Sequence, residues 1–597
     1  MLLQRLNEYG EAIAEDLPPD FYRDRVITWV LDIREGGQRA RLIGDRVPAG
    51  KREQARSERV PYAQRSGIRV PPNLIVDTAE FALGIPKAGK DGAVTDKARG
   101  EAERRHGAYR ELALRWVERE PDDASARALG TYFSCGGPAL IPAEQLDEVE
   151  AGDTVAVMAG TRWLHALPSV QQLWAEVVRE RKGGDGGEGL CLVCGEQRSL
   201  LATIPETVKK GSVPSAGGTN EGALISINTS AQGRGGITQL ANTPVCIQCG
   251  RRAMAVLNHL IASKEHSRRF RDDGVLLWWA RHADGERELF DVLQDDPDPA
   301  SVAHLIEVLH TTPTPHSASR IEDGSFCALG LGLNNARLVV REWIDVPLPE
   351  IKAALGAWYE DHGVHDGWTG ETRYSPLWLL ALSCGRWTGE RYAPGSAPRG
   401  LEADLLRAAL RRTPLPARVL PLILQRIHAD QKTDSPRLAL LRLILNRSPR
   451  PEDHVTPKLD QDSNEPAYLS GRLFAVMENI QRRALGKNLN ATVRDKYFRA
   501  AATSPSATLT RLFSDSGAHL KRLRKDKPGA GSAMERQLVD LYAKVQQDLP
   551  THLTPLQQAR FVIGYAHQRS EDLAAARTAA EAHHTDAADI HGSPTAA

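Results

Sequence analysis

The chain has 597 residues, with 76 Lys and Arg against 76 Asp and Glu, for a formal net charge of +0. That length exceeds one hydrophobic core, so roughly two to four domains are expected. The charge balance excludes a nucleic-acid role that rests on overall basicity and demands local basic patches instead; 41% hydrophobic and 25% charged residues describe an ordinary globular protein.

The N-terminal stretch MLLQRLNEYGEAIAEDL has the spacing of an amphipathic, acidic helix. It lacks the basic start and continuous apolar core of a signal peptide. No apolar run approaches the ~20 residues of a membrane span, and GVLLWWA and VLPLILQ are short enough to be buried strands or helix segments. The expected location is a reducing cytoplasm. VITWVLDI is β-branched and aromatic, the signature of a strand. Beyond Gly36 the chain becomes arginine-rich, and Arg52, Arg56, Arg59, Arg65 and Arg69 fall in one irregular region punctuated by Pro and Gly. A solvated loop explains such arginines; the alternative is phosphate contact, for which the guanidinium fork is suited. Residues 100–118 read as an amphipathic helix, and GGDGGEG at 183–189 as a flexible linker that closes an N-terminal α+β domain of residues 1–182.

The most specific chemical signal follows. Of seven cysteines, four form two CxxCG turns, CLVCG at Cys191 and Cys194 and CIQCG at Cys246 and Cys249. Two such turns offer four thiolates to a tetrahedral ion, so a structural zinc is expected in a module of residues 190–255. The glycine after each second cysteine lets the turn close. Four protein ligands leave no open position, which argues against a catalytic zinc. A zinc deaminase would need H-x-E and P-C-x-x-C, and neither is present. Between the turns lies GSVPSAGGTNEGALISIN, residues 211–228, which is not a nucleotide P-loop. Its glycines allow close approach of a backbone to a ligand, and Ser215, Thr219, Asn220, Ser226 and Asn228 offer neutral hydrogen-bonding groups; an ordinary surface hairpin is the alternative.

Residues 256–395 alternate strand-like runs with helices and read as a continuation of the α+β domain. All eleven tryptophans lie at or before Trp387. Beyond them eight Leu/Ala/Arg-rich segments show helical spacing, which predicts a helical bundle over 396–585 and a disordered tail over 586–597. HLKRLRKDK, His519 to Lys527, is either a solvated helix face or a groove for a nucleic-acid backbone. No nucleophile–base pair, histidine cluster or carboxylate dyad stands out, so no catalysis is expected. The predicted fold class is α+β: a mixed α/β N-terminal part with a zinc-knuckle insertion, followed by a C-terminal α-helical bundle.

Several strings together resemble the type I-C CRISPR-associated large subunit of the Cascade surveillance complex. They are MLLQRLNEYGEAIAE, RSGIRVPPNLIVDTAEFALGI, LCLVCGEQ with the loop ending in ALISIN, LVVREWIDVPLPEIKAALGAWYEDH, and GRLFAV through LNATVRDKYF to FVIGYAHQR. The resemblance runs in order over nearly the whole chain. It implies a non-catalytic subunit of an antiviral ribonucleoprotein. Guide RNA reads the target by pairing, while the protein reads the short protospacer-adjacent motif (PAM) in duplex DNA. It also implies help with strand opening and R-loop stabilisation, and recruitment of a helicase–nuclease. Implied partners are the crRNA-bearing backbone subunits, target double-stranded DNA with its displaced strand, and a small subunit, with no membrane. The C-terminal bundle resembles that small subunit, which in this family can also arise from an internal start; Met477 and Met534 are the candidates. Many relatives carry C-x-V-T-G in place of CLVCG, which implies that the metal is a local brace. The alternative is a zinc-ribbon regulatory protein that binds nucleic acid outside CRISPR.

Under this reading the 211–228 loop and the Arg65–Asn73 segment face the motif duplex. Asn73, Asn220 and Asn228 are the candidate base-edge readers, and Arg52, Arg56, Arg59, Arg65 and Arg69 the phosphate contacts. Arg494, Lys496, Lys521, Arg522, Arg524 and Lys525 are candidates to line a path for displaced or target strand.

Overall fold

The computed structural model describes the chain apart from residues 45, 50–51, 64, 66–69, 90–91, 205, 215–220, 228, 271–273, 281–301, 304–305, 307–324, 487–489 and 592–597. It divides into two compact units, residues 1–281 with 327–344, and 282–326 with 345–597. The first is mixed α/β and the second is dominated by helices, the fold class the sequence predicts. The break differs from the expected one: residues 345–395 pack with the helices that follow rather than with the strands before them.

In the first unit, helix α1 (Leu2–Ala12) precedes strands β1 (Tyr22–Val26), β2 (Trp29–Arg34) and β3 (Arg39–Gly44). The arginine-rich region is more regular than its Pro and Gly content suggests, for β4 (Arg46–Ala49) pairs antiparallel with β5 (Arg52–Ala55), and β6 (Ser57–Pro61) pairs with β1. Short β7 (Asp77–Thr78) leads into α2 (Ala79–Ala82), α3 (Asp96–Arg119), α4 (Ala124–Ser134), α5 (Ala143–Leu146), β8 (Thr154–Ala159), β9 (Arg162–Trp163) and α6 (Pro168–Lys182). β2 and β8 run parallel at the centre of a sheet ordered β3-β2-β8-β7, with β9 on β8. Leu31 pairs with Leu42 on one side and Val157 on the other, so apolar residues of three strands meet under the helices. Helix α3 starts where the Thr95 side chain accepts the Ala98 N–H, and its buried stripe of Ala102, Tyr109, Leu112, Ala113 and Trp116 confirms the predicted period.

The predicted linker is a strand. β10 (Gly183–Leu190) forms an antiparallel hairpin with β11 (Gln197–Leu201). Backbone pairing asks nothing of a side chain, so a glycine-rich run is a strand when a partner is held beside it. Helix α7 (Ile247–Ala262) is followed by β12 (Ser267–Phe270), β13 (Gly274–Ala280), β14 (Ser325–Asn334) and β15 (Arg337–Pro347), a sheet in sequence order. β13, GVLLWWA, is buried at every position.

The second unit contains α8 (Leu348–His362), α9 (Leu377–Ser383), α10 (Leu401–Arg411), α11 (Val419–Asp430), α12 (Ser435–Asn446), α13 (Pro466–Leu485), α14 (Val493–Thr503), α15 (Pro505–Asp526), α16 (Pro528–Val545) and α17 (Pro555–His591). Buried arginines explain why α8 belongs here. Arg442 on α12 donates to backbone carbonyls of Glu360 and Gly363 at the end of α8, and Arg447 binds Asp361 at 2.9 Å. All eight predicted helices form; α14 opens with a Thr492–Asp495 capping box. α17 runs to His591, so the tail expected from 586 begins as helix, in keeping with its high alanine content; 592–597 lie outside the described residues. Met477 is buried in the middle of α13 and Met534 in α16, so either start would cut through a helix. No described helix is long and apolar enough to cross a membrane.

The centre of the second unit is the contact of α13 with α17. A Cβ on Gly471 would lie 2.0 Å from the Phe561 carbonyl oxygen, and one on Gly564 would lie 2.2 Å from that of Tyr468. Phe474, Phe498, Phe561 and Tyr565 interlock beside this approach, with ring centroids 5.1–6.0 Å apart. Gly471→Ala should therefore destabilise the chain by about 1–3 kcal/mol. Gly517→Ala, on α15 with nothing within 4 Å of the new methyl, should be neutral or stabilise by about 0.5–1 kcal/mol. Urea denaturation midpoints check both.

Candidate metal centre and nucleic-acid face

The first cysteine turn caps the β10–β11 hairpin. The Gly195 N–H donates to the Cys191 carbonyl (2.9 Å) and the Cys191 N–H to the Glu196 carbonyl (3.0 Å), with Gly195 at φ 74°. The second turn is the start of α7, with Cys246 at the N-cap and Cys249 in the first turn. Here the following glycine serves packing instead, because a Cβ on Gly250 would lie 2.5 Å from Leu201 Cδ1. A bridge between Leu200 and Cys246 joins the two turns.

All four sulfurs lie within 4.8 Å of one another. A tetrahedron of ~2.3 Å metal–sulfur bonds has edges of about 3.8 Å, and Cys194 Sγ to Cys246 Sγ is 4.0 Å. Cys191, Cys246 and Cys249 are buried while Cys194 is exposed. Burial works against ionising Cys191, yet backbone N–H groups of Cys194, Cys246 and Val193 turned to its sulfur bring the thiol down to about 7. Burial pushes Cys246 and Cys249 upward; Cys191 adds to this at both, while Cys249 pulls Cys246 back. Four thiolates at this separation repel one another, and a cation among them resolves the conflict. The donor set therefore fits a metal, with no open ligand position.

The centre is braced from the N-terminus. Buried Asn7 on α1 donates to the Cys249 carbonyl at 3.0 Å and the Leu3 carbonyl at 2.8 Å. Arg252 on α7 pairs with Glu11.

The loop between the turns has an anchored base. The Val208 and Gly222 backbones pair, and Ala223 bridges to Arg337 at the start of β15. Glu221 carries the anchor: it accepts from Arg23 (3.1 Å), Tyr62 (3.0 Å) and Thr207 (2.9 Å), while Arg23 lies 3.2 Å from the Tyr62 ring centroid. Burial opposes its ionisation, but Arg23 and these donors hold its carboxyl below the usual value. Next to it, Glu206 is 3% exposed, and burial pushes its carboxyl up to about 8 against the pull of Arg251 and Arg23. The base of the loop thus joins the β1–β6 ribbon. On that ribbon Asp24 faces both Arg59 (3.8 Å) and Lys209 (3.4 Å), so two cations share one carboxylate on an exposed face.

The predicted DNA contacts divide accordingly. Arg59 is on the ribbon and Arg56 directly precedes it, both with half-exposed side chains; Arg56 lies 3.8 Å from Glu58 and faces Trp163. Arg65 is instead bound to buried Asp77 and stacked on Phe81, a structural position. Asn73 is 1% exposed, and its N–H donates to the same Asp77, so its carboxamide is closed to a duplex in this conformation. Arg52 lies on β5. Arg69, Asn220 and Asn228, with Ser215 and Thr219, lie outside the described residues. Lys209 was missed by sequence reasoning, though the pair Lys209–Lys210 directly before Gly211 was a signal. In the second unit Lys521, Arg522, Arg524 and Lys525 lie exposed on α15, with Arg524 paired to Glu535 and Arg522 3.8 Å from Asp526. Arg494 is committed to the Gln431 carbonyl and Thr433, and Lys496 is exposed.

The first unit thus holds a four-thiol cluster that fits a metal and a basic ribbon face, and the second unit an exposed run of cations on α15. Residues 3–572 match the family model described as CRISPR-associated protein (Cas_Csd1), and the chain belongs to that family. No curated protein matches the chain.

Two outcomes are expected. Elemental analysis should find one tightly held metal ion per chain, and Cys249→Ser should lose it and expose residues 202–245 to protease. Glu206→Gln should stabilise the protein with a defined pH dependence. A carboxyl raised in the folded state keeps its proton while the unfolded chain loses it, so stability drains away as pH rises from about 4.5 to 8. The variant's advantage in thermal melting should be absent near pH 4.5, grow up to about pH 8 and then level off.

Proposed function

We propose that this chain is the large subunit of a type I-C crRNA-guided surveillance complex. In this reading it is non-catalytic, binds the PAM as duplex, assists strand opening and offers a docking surface for a helicase–nuclease. The family match over residues 3–572 carries the reading. The geometry that supports it is the joined ribbon and loop, where Arg59 and Lys209 meet at Asp24 beside a loop with a fixed base. Cations on this ribbon suit phosphates, and a small-residue loop suits close approach to a groove. The metal is zinc in this reading, since four thiolates in a closed site are its usual structural set; it holds the loop's two ends and touches no DNA. The exposed cations of α15 serve the displaced or target strand.

The test is binding of short duplexes to the complex reconstituted with guide RNA and backbone subunits. Arg59→Ala with Lys209→Ala should weaken motif and non-motif duplexes alike and lower the salt slope by about 1 per lost phosphate contact. Shortening 215–220 should abolish motif discrimination while the salt slope stays. Lys521→Glu with Lys525→Glu should reduce R-loop formation and spare motif binding. Undiminished discrimination after the loop deletion would overturn the reading.

A further inference from the structure

A cavity of about 350 Å³ opens in the second unit between the start of α12, the turn after α8 and the middle of α17. Three features make its wall rich in hydrogen-bond donors and cations. First, α12 begins there with an uncapped N-terminus: the N-cap residue Asp434 makes no capping bond and instead accepts from Tyr392 O–H at 2.8 Å. Ser435 Oγ, in the first turn, has no partner among the described residues. Such an end carries partial positive charge and free N–H groups.

Second, His567 is 4% exposed and lines the cavity. Tyr468 Oη, which accepts the Asp460 N–H, lies 3.0 Å from His567 Nδ1. Burial, reinforced by Arg442 and Arg472, keeps the ring neutral. Its Nε2 has no partner among the described residues, and the tautomer protonated there offers the cavity an N–H.

Third, Arg442 in the same wall is 2% exposed and donates only to backbone carbonyls, those of Glu360, Gly363, Val455 and Thr456. Asp361 and Glu360 offset its charge from a distance, but its hydrogen bonds go to carbonyls. Arg569 adds a second cation, held by the Tyr565 hydroxyl at 3.0 Å and offset by Glu478 and Asp572. The carboxylate in the wall, Asp366, is already neutralised by Arg373 at 2.8 Å.

Two guanidinium groups, an uncapped helix start and two orphan hydrogen-bonding groups suit an anion with several acceptor oxygens. We propose that this cavity binds a phosphate group, carried by a nucleic-acid strand or by a free nucleotide. Leu438, Ile563 and Leu573 supply an apolar wall for the rest of the ligand. Trp368, one residue beyond Gly367 of the wall, is 61% exposed and offers a stacking face for a base. The proposal is independent of the reading of the metal-braced loop.

The full chain is titrated with inorganic phosphate, AMP and a labelled decathymidylate, read by calorimetry and fluorescence anisotropy. Saturable binding of at least one probe is expected. Ser435→Asp and Arg569→Ala should each weaken it about tenfold, with thermal melting unchanged. Trp368→Ala separates the sources: a loss for decathymidylate alone points to a strand, and tighter binding of AMP that survives this change points to a nucleotide. No saturable binding to the wild type, or equal affinities in wild type, Ser435→Asp and Arg569→Ala, overturns the proposal.

Discussion

Two cysteine pairs, separated by fifty-two residues from Cys194 to Cys246, converge until their sulfurs lie within 4.8 Å. Much of the first unit depends on that convergence. It joins the turn of a glycine-rich hairpin to the first turn of α7, and α1 is then fastened across the join by Asn7. None of these contacts is individually strong. A neutral hydrogen bond contributes about 1 kcal/mol, and a bare hairpin of GGDGGEG has little to hold it. A metal that binds four thiolates supplies folding free energy directly, and the strand character of β10 follows from being held, not from propensity.

The same join fixes where the intervening loop leaves and returns. Its base is not free backbone: Glu221 gathers Arg23, Tyr62 and Thr207, and Lys209 meets Arg59 over Asp24. A loop so anchored pays little ordering entropy at its ends when it closes on a ligand.

Parts of this were legible in the sequence. The CxxCG turns announced a four-thiol cluster because the chemistry needs little beyond spacing, and the helices after Trp387 announced themselves because each buries one stripe. Other features were hidden for physical reasons. GGDGGEG has linker composition, and only a partner strand, invisible in one dimension, makes it β10. Arg65 and Asn73 share a segment with exposed arginines, yet Asp77, itself fully buried, draws both inward. Arg442 and Arg447 look like any arginines on an amphipathic helix, but they are the ties that place α8 in the second unit. A side chain's partner is a property of the fold, and charge alone did not say which arginines face water. The family resemblance supplied the CRISPR association that the family match bears out; the residues alone would have stopped at a metal-braced protein with basic surfaces.

The central claim is that the metal clasp presents the 206–228 loop to target duplex. Hydrogen–deuterium exchange of the reconstituted complex measures this directly. The account predicts that motif-bearing duplex protects the amides of 206–228 and of the β1–β6 ribbon, and that duplex without the motif leaves the loop tip unprotected. Protection confined to other segments, with exchange across 206–228 unchanged by motif duplex, would contradict it.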